Sequence, residues 1–424
     1  MKDVRMSFAV TVALQQTDVH WLEADLLRQR QAIFLAVFRQ VLTAIEAAVL
    51  LAPLGPCPAC GGRQVQNGRV PRRLETLLGR LQFERVRLRC QQCGRESFPL
   101  DGALGLEART QQTLGVRERA LWAATEVSYE KSTRFLAKFT GLAVSRGTIH
   151  TLAREEGTRL LTQDAAQRQA VFEQGQAPPP ATQQPPVLFI QVDGTGVRNR
   201  ATRTSMETKV GVVFSERARV SANRIELIDK RCVASLEPAQ AFGESLWLEA
   251  VRHGLEQAAQ VVFISDGAAW IKGVHATHFP QALYVLDLWH LERALRLTLG
   301  AEHSEIPALV AAATAGQPDE ILRRLRRLAV RTRGPDAHAA LRQLIEYVQT
   351  NAEGIRNLPR APLWGSGAVE KQADVLVARR FKTRGMSWYR PGAAALQRLR
   401  LLKLNGDWDA YWEARQHELA RQAA

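Results

Sequence analysis

Short apolar runs that lead into an aspartate and a glycine recur in the second half of the chain. Residues 187–192 lead into Asp193, residues 261–265 lead into Asp266, and a glycine follows each aspartate. A short run of β-preferring residues bounded by turn residues predicts a buried strand. Asp-Gly alone is also typical of a hairpin turn. Two copies of the pattern indicate that two carboxylates meet at one edge of a sheet, where a metal could be held.

The strand pattern continues around these two runs. Further strand-like segments lie at 208–214, 224–228 and 282–286, and a helical stretch runs from about residue 238 to 253. Three strands, a helix, a strand, a helix and a strand is the order expected of an RNase H-like sheet. The fold class predicted for this half is therefore α/β, with an arginine-rich helical insertion from about 291 to 357.

A long helix is predicted over residues 18–52, where apolar residues recur three and four apart until Pro53. Arg39, Gln40 and Glu46 interrupt its most apolar part, which favours a helix packed in protein over a membrane span. We interpret it as a packing or oligomerisation helix. The amino terminus lacks the pattern of a secretory signal, so the expected location is cytoplasmic.

Four of the five cysteines form two Cys-x-x-Cys pairs, at Cys57 and Cys60 and at Cys90 and Cys93. Two such pairs in a reducing compartment have the reach for tetrahedral zinc ligation, with a β-hairpin between them as in a zinc ribbon. Residues 81–89 alternate as a hairpin strand would. Two disulfides or a redox dithiol are the alternatives, and structural zinc is favoured because cytosolic disulfides are rare.

A helix-turn-helix is predicted at residues 128–152. The first helix ends at Gly141, and a second begins after Ser145, with Arg146 and Thr148 in its exposed first turn. A recognition helix reads DNA from this position, so these two residues are candidate DNA contacts. A helix pair of an ordinary bundle has the same pattern, and the basic cysteine module beside it favours the DNA-binding interpretation.

Charge points to a polyanionic partner. The 424 residues contain 57 Lys+Arg and 42 Asp+Glu, which gives a net charge of +15. Arginine dominates the basic residues and suits phosphate and base edges.

A proline-rich tract within residues 164–186 separates the two halves as a linker. The sequence predicts six segments: a helical segment 1–52, a zinc-ribbon-like module 53–105, a helix-turn-helix region 106–163, a linker 164–186, a catalytic domain 187–405 and a C-terminal helix 406–424.

A third acidic residue, Glu370, falls in the first turn of a predicted helix. Gly365 and Gly367 flank Ser366, which is placed to cap this helix. A carboxylate here is either favoured by the helix dipole or a ligand. A basic run with a flanking tryptophan follows; its candidate DNA contacts are Arg379, Arg380, Lys382, Arg384 and Trp388. The lysine and arginines are expected to hold phosphates, and the tryptophan to stack on a base.

Several motifs in this half resemble the DDE transposases of bacterial insertion sequences, most closely the ISLre and ISKra groups. They are V-D-G-T at 192–195, S-D-G-A-x-W-I at 265–271, V-L-D-L-W-H at 285–290, G-S-G-A-V-E at 365–370, R-x-K-x-R-x-M-S-W at 380–388 and P-G-A at 391–393. The resemblance implies a catalytic triad of Asp193, Asp266 and Glu370. It also places Asp287 and His290 near the active site; a histidine that only bonds Asp287 at a helix start is the alternative.

The resemblance implies an enzyme that binds terminal repeats through residues 1–163, hydrolyses the DNA backbone at the ends and joins the freed 3′-hydroxyl to target DNA. Asp193, Asp266 and Glu370 would hold two Mg²⁺ or Mn²⁺ ions, because oxygen ligands select these metals. The expected partners are double-stranded DNA and further copies of the chain, with no membrane. The alternatives are a DNA-binding regulator with a non-catalytic scaffold and a stand-alone structure-selective nuclease.

Overall fold

The computed structural model describes residues 11–222, 224–362 and 365–423. The helices are α1 (Val19–Leu51), α2 (Pro99–Ala103), α3 (Leu114–Glu126), α4 (Tyr129–Thr140), α5 (Arg146–Arg168), α6 (Ala239–Arg252), α7 (Ala269–His278), α8 (Leu288–Leu299), α9 (Ile306–Thr314), α10 (Pro318–Arg331), α11 (Pro335–Thr350), α12 (Ala352–Arg356), α13 (Gly367–Ala373), α14 (Arg379–Phe381), α15 (Arg390–Leu404) and α16 (Trp408–Ala423). The strands are β1 (Gln64–Thr76), β2 (Gly79–Cys90), β3 (Glu96–Ser97), β4 (Val187–Arg198), β5 (Ser205–Phe214), β6 (Glu216–Ser221), β7 (Arg224–Ile228), β8 (Arg231–Ser235), β9 (Gln260–Ser265) and β10 (Leu283–Leu286). The chain divides into two compact units, one ending at Leu152 and resuming at Asp407, the other Ala153–Gly406.

A long β-hairpin forms the centre of the first unit. β1 and β2 pair antiparallel from Gln64 and Cys90 at one end to Thr76 and Gly79 at the other, as the alternation in the sequence predicts. Their inward residues pack on α1 and α2, and the core of this contact consists of Leu42, Leu81, Phe83 and Leu100. The hairpin therefore holds the two cysteine pairs together at its open end.

Only part of helix α1 is buried. Its C-terminal half packs on the hairpin, where Glu46 accepts a hydrogen bond from the Val86 N–H at 2.7 Å. Large apolar side chains in the N-terminal half of the helix remain exposed, among them Leu26, Leu27 and Phe34. By length and composition α1 could also cross a membrane, and it is the one helix in the described residues of which this is true.

The two helices predicted around Gly141 are present as α4 and α5, and the boundary between the two units falls inside α5. Gly141 ends α4 with a φ of 71°, a conformation that glycine adopts without strain. The second helix, α5, continues to Arg168, beyond the predicted end at 163, because no residue before Gly175 breaks it. The proline-rich tract that follows has no regular structure, but the Thr182 N–H donates to the Arg252 carbonyl at 2.8 Å.

A mixed five-stranded sheet organises the second unit. Its strand order is β10-β9-β4-β5-β8. Strand β4 lies in the middle, parallel to β9 on one side and antiparallel to β5 on the other. The outer strands continue this division, because β10 is parallel to β9 and β8 is antiparallel to β5. The molecule is thus of mixed α/β class, as predicted.

The predicted third strand of this sheet is wrong. Residues 224–228 pair with Glu216–Ser221 in a separate two-stranded ribbon, and Arg231–Ser235 supplies the third strand instead. The physical reason is burial. The later segment contains Cys232 and Val233, which are 1% and 7% exposed, whereas most side chains of Glu216–Ser221 face solvent. A period-2 pattern identifies strands, but it does not show which sheet they join.

Alternation along β4 assigns its residues to two faces of the sheet. Leu188, Ile190 and Val192 belong to the core formed with α6 and α7. Successive side chains of a strand point to opposite faces, so Gln191 and Asp193 lie on the other face. On that other face, Gln191 hydrogen-bonds the start of α13. The predicted helical insertion is also present, as α8 to α12 between β10 and α13.

Candidate active site

Asp193 and Asp266 lie where the parallel strands β4 and β9 stop pairing. Val192 and Ser265 are the last parallel partners, and each aspartate is the next residue. Neighbouring strands lie about 4.8 Å apart, so the two carboxylates start from adjacent points of one sheet edge. The expectation that β4 ends at Asp193 is wrong: β4 continues to Arg198, since β5 remains beside it. Asp193 is therefore not in a hairpin turn.

The environment of Asp193 concentrates negative charge. Burial raises the pKa of the Asp193 carboxyl above its usual range, although the Gly194 N–H donates to it at 2.7 Å and lowers it. The Asp266 and Glu370 carboxylates raise this pKa further. All three predicted triad residues thus lie close enough to interact electrostatically, and a bound cation would relieve their repulsion.

Gly194 does not open space beside the Asp193 carboxylate. A Cβ built at residue 194 would meet the Glu207 carboxylate oxygen at 2.6 Å and Trp270 at 3.4 Å. Both of these side chains lie on the α7 face of the sheet, opposite to Asp193. The small size of the glycine therefore serves packing on that face of the sheet.

The loop that carries Asp266 is held by the helical insertion. Tyr347 of α11 donates its hydroxyl to the Asp266 carbonyl at 2.8 Å. Gly267 has a φ of +89°, and a Cβ there would lie 2.5 Å from the Asn351 side chain. The Asp266 carboxylate in turn accepts the Ala268 N–H at 2.9 Å. The insertion, which interrupts the sheet in sequence, therefore fixes one of the three acids in space.

Glu370 is positioned by two buried side chains that come from the sheet. Gln191 donates to the Gly365 carbonyl at 3.0 Å and accepts the Val369 N–H at 3.1 Å. Asp287 accepts the Ser366 N–H at 2.6 Å. Ser366 itself was expected to cap this helix, but its side chain makes no capping bond. The carboxylate of Asp287 is the acceptor at this helix start.

Asp287, His290 and Glu370 form a second acidic group, in which one ligand atom of each lies within 4.8 Å of the others. His290 Nδ1 is 3.3 Å from Asp287, and its Nε2 is 3.6 Å from Glu370. The Asp287 contact raises the pKa of His290 against the effect of burial. Burial opposes ionisation of Asp287 as well, yet the contacts with His290 and Ser366 lower its pKa. His290 therefore lies between the Asp287 and Glu370 carboxylates.

The predicted DNA contacts after α13 separate into exposed and packed residues. Arg380 is 2% exposed, and its guanidinium lies 5.1 Å from the Trp388 ring centre. Trp388 also packs on Phe381, with 4.9 Å between ring centres, so its half-buried ring is engaged by Arg380 and Phe381 and is not an open stacking platform. Lys382 donates to the Thr195 hydroxyl at 2.5 Å, near the Asp193 edge. The remaining two arginines are exposed, and Arg379 pairs with Asp374 at 2.9 Å.

Two residues that sequence reasoning did not single out support the site, and a third lies beside the predicted DNA contacts. Gln191 had a visible signal, since it is the one amide in an apolar strand. Tyr347 had none, because nothing in the sequence relates α11 to the Asp266 loop. Tyr389 is 58% exposed, and the Arg200 guanidinium lies 5.5 Å from its ring centre. It offers the open aromatic surface that was expected of Trp388.

Substitution of Gln191 provides a first prediction. Gln191→Leu is expected to lower the free energy of unfolding by about 2–4 kcal/mol, because two buried backbone groups of the loop before α13 lose their partner. The measurement is urea denaturation of the purified protein. Gln397→Met is the control, since this buried glutamine makes its bond to the Thr208 hydroxyl, far from α13 in sequence. A cost for Gln191→Leu no larger than the control would contradict the positioning role.

The four paired cysteines meet at the open end of the hairpin. Their sulfurs lie within 4.8 Å of one another. The Cys57–Cys93 and Cys60–Cys90 sulfur distances are 3.7 and 3.5 Å, whereas a disulfide needs about 2.05 Å. Four sulfurs bound to one zinc ion lie about 3.8 Å apart, so the residues fit tetrahedral zinc.

The local backbone also favours thiolates at this cluster. The N–H groups of Cys93 and Gln92 lie 3.5 and 3.4 Å from the Cys90 sulfur. The Cys93 N–H contributes most to lowering the pKa of Cys90 to about 6. Gly61 and Gly94 follow the two pairs with φ values of 74° and 72°, which gives both turns the same shape. The geometry is that of a possible four-cysteine metal site.

The predicted recognition residues lie at the start of α5. The Ser145 hydroxyl accepts the Thr148 N–H at 3.0 Å and so caps the helix. Arg146 is exposed, and Thr148 is half-buried with its hydroxyl 2.9 Å from that of Ser145. Of the two predicted DNA contacts, Arg146 thus has the freer side chain.

Known proteins with similar sequences are grouped under one description, "Uncharacterised protein family (UPF0236)", which matches residues 16–417. A protein of Streptococcus gallolyticus named "UPF0236 protein in vanSb 3'region" is 25% identical over 368 residues, which cover 80% of this chain and 74% of that protein. A UPF0236 protein of Caldanaerobacter subterraneus subsp. tengcongensis is 20% identical over 340 residues, or 79% of this chain and 68% of the relative. A second from that organism, whose name joins eleven gene labels, is 21% identical over 341 residues, with 79% and 68% covered. The family match spans both units of the fold and the whole acidic site, so the chain belongs to the Uncharacterised protein family (UPF0236).

Proposed function

We propose that this protein is a DDE-type DNA transposase related to the ISLre and ISKra groups. The observation that carries the proposal is that Asp193 and Asp266 follow the last paired residues of two neighbouring parallel strands, and that Glu370 of α13, far away in sequence, lies close enough to act electrostatically on Asp193. Three carboxylates on well-held backbone are what a two-metal phosphodiester site requires. The positions match the motifs by which the chain resembles these transposases.

The order of the strands supports an RNase H-like catalytic domain. An antiparallel meander of β4, β5 and β8 is followed by β9 and β10, which add in parallel on the other side of β4. An RNase H-like sheet would have this arrangement, with the helical insertion between the last strand and Glu370. The cysteine cluster and the α4–α5 pair likewise support a zinc ribbon and a helix-turn-helix that bind element ends.

The acidic cluster fits Mg²⁺ or Mn²⁺. Its donors are carboxylate oxygens, which these cations prefer, and burial followed by the nearby Asp266 and Glu370 carboxylates raises the pKa of Asp193, a cost that a bound cation would offset. Asp193, Asp266 and Glu370 would hold two such ions, which supply charge neutralisation for the attacking and leaving oxygens of a phosphodiester. Asp287 and His290 orient Glu370: Asp287 holds the backbone before α13, and His290 lies against the Glu370 carboxylate.

The relatives and the charge of the chain also agree with a mobile-element enzyme. One relative's name joins eleven gene labels, which fits a sequence present in several copies of one genome. The net charge of +15 suits a DNA partner in the nucleoid. Cutting and joining two element ends requires at least two active sites, so we propose a homodimer or larger assembly in the cytoplasm, with double-stranded DNA as its partner.

Cleavage of terminal-repeat DNA tests the proposal. The purified protein is incubated with end-labelled duplexes from the flanks of its gene, with Mn²⁺, Mg²⁺ or EDTA. We expect nicks at the repeat ends with either metal and, in the presence of target DNA, joined products. Specific binding without cutting would indicate a DNA-binding regulator instead. Cutting without joining would indicate a structure-selective nuclease.

A further inference from the structure

A basic cleft lies within the first unit. It has a volume of about 970 Å³ and is bordered by the middle of the β1–β2 hairpin, residues 108–112 and the start of α5. The lining residues used below are Arg73, Arg80, Arg85, Arg109, Ser145 and Thr148. The cleft therefore joins the hairpin of the cysteine module to the first turn of the predicted recognition helix.

The wall of the cleft is preformed. The Arg72 guanidinium donates to the carbonyls of Glu107 and Thr110 at 2.8 and 2.9 Å and pairs with Asp101 at 3.0 Å. The backbone of Glu75 exchanges further bonds with residues 111 and 113. These bonds hold residues 107–113 along β1, so the arginines around the cleft sit on rigid backbone.

Positive charge is buried in excess beneath the cleft. The side chains of Arg72 and Arg85 are 5% and 9% exposed, and both pair with the single carboxylate of Asp101. The Arg85 Nε is buried and has no hydrogen-bond partner among the described residues. One carboxylate does not neutralise two guanidinium groups, and a buried charge without compensation is costly. The Arg85 guanidinium also stacks on the Phe98 ring, 3.7 Å from its centre. The excess of buried positive charge makes the electrostatic potential of the cleft positive and so favours an anion there.

Further arginines lie at the rim. Arg73 and Arg109 are exposed and have no acidic partner in the part of the chain that the structure describes. Arg80 is exposed too, but it pairs with Glu75 at 2.5 Å. Charged groups spaced along an open cleft match a polymer with repeated phosphates better than a single small anion. The start of α5 borders the same cleft, and the positive end of a helix dipole favours phosphate.

We propose that this cleft receives the phosphate backbone of duplex DNA while the first turn of α5 contacts the adjacent groove. The inference rests on the proposed function, because it identifies the surface by which a transposase would hold its element ends. Arg73 and Arg109 contact phosphates directly. Arg72 and Arg85 contribute buried positive charge beneath the cleft, and Arg72 also holds residues 107–110 beside β1.

Fluorescence anisotropy with a labelled terminal-repeat duplex and a scrambled duplex, over about 50 to 200 mM salt, tests the cleft. The double variant Arg73→Ala/Arg109→Ala should bind both duplexes roughly tenfold more weakly at low salt and reduce the slope of log K against log[salt] by about two. Both side chains are exposed, so the melting temperature should not change. Arg421→Ala, which removes an exposed arginine of α16 in the same unit, is the matched control and should behave as wild type.

The remaining outcomes separate the cleft from the proposed function. If the double variant binds with the wild-type affinity and slope while the wild type still cuts DNA, the cleft assignment is wrong and the transposase proposal stands. A second outcome concerns inorganic phosphate. If millimolar phosphate raises the melting temperature of the wild type but not of the double variant, and neither duplex binds, the cleft is a small-anion site, which also overturns the assignment. Wild-type protein that neither binds nor cuts DNA contradicts both proposals.

Discussion

Asp193→Asn is expected to abolish metal-dependent DNA cleavage while leaving DNA binding intact. A metal ion contributes several kcal/mol of transition-state stabilisation, and 1.36 kcal/mol is tenfold in rate, so the loss should be at least about 1,000-fold. The substitution keeps the shape of the side chain on β4. Cleavage is measured with end-labelled duplex and binding by anisotropy. Asp319→Asn, at an exposed carboxylate on the helical insertion, should leave cleavage unchanged.

Thermal melting distinguishes a catalytic Asp193 from a structural one. Burial and the neighbouring carboxylates raise the pKa of Asp193, so its ionised form is disfavoured by folding at neutral pH. Asp193→Asn should therefore melt at the same or a higher temperature than wild type in EDTA. Mn²⁺ should stabilise the wild type more than the variant, because it relieves the repulsion in the cluster. A variant that melts well below wild type and loses DNA binding would mean that Asp193 serves the fold alone.

Cys90→Ser is the second substitution with a large expected effect. Structural zinc contributes about 10–16 kcal/mol to the folding of small zinc modules, so loss of one of four thiolates should unfold the cysteine turns and weaken the hairpin. Wild-type protein should carry one zinc per chain by metal analysis, and Cys90→Ser should carry far less and lose the cooperative melting of the first unit. DNA binding should fall with it, since the cleft is built on the same hairpin.

Cys232→Ser is the matched control for the zinc prediction. Cys232 is buried alone in the second unit, where its sulfur lies 3.8 Å from the Gln372 side chain. Its replacement should leave the zinc content unchanged. A zinc-free wild-type protein that keeps its melting profile under reducing conditions would rule out the metal site. Sensitivity to reductant without zinc would favour the two disulfides instead.

The local pattern of the sequence was sufficient for most elements of the fold. The runs at 187–192, 261–265 and 282–286 became β4, β9 and β10, and the alternation at 81–89 became β2. These segments are predictable because burial of one or both faces imposes a period on neighbouring residues. The segment 224–228 has the same period, yet it joins a separate ribbon. Which sheet a strand joins depends on pairing partners that are distant in the chain, and a local sequence pattern holds no information about them.

The candidate site divides in the same way. Asp193, Asp266 and Glu370 were predicted from motifs, and the four cysteines from their spacing. Arg380 and Trp388 carry equally suitable chemistry, but they pack against each other, because exposure depends on the surrounding fold. Tyr347 became part of the site only because the helical insertion folds back onto the Asp266 loop.

The sequence by itself determined which residues have the chemistry: three carboxylates after apolar strands or in a first helical turn, four thiols in two pairs, and arginines in excess. Only the tertiary structure decided how they are held. Gln191 and Asp287 reach across 174 and 79 residues to fix the backbone before Glu370. Buried polar groups are almost always hydrogen-bonded, because they have lost their bonds to water. The arrangement of strands and helices determines which groups are close enough to form these bonds. β4 is thus a central strand that continues past Asp193. The Asp193 carboxylate belongs to a site because of the residues that the neighbouring elements place beside it, and the Asp-Gly sequence alone does not determine this.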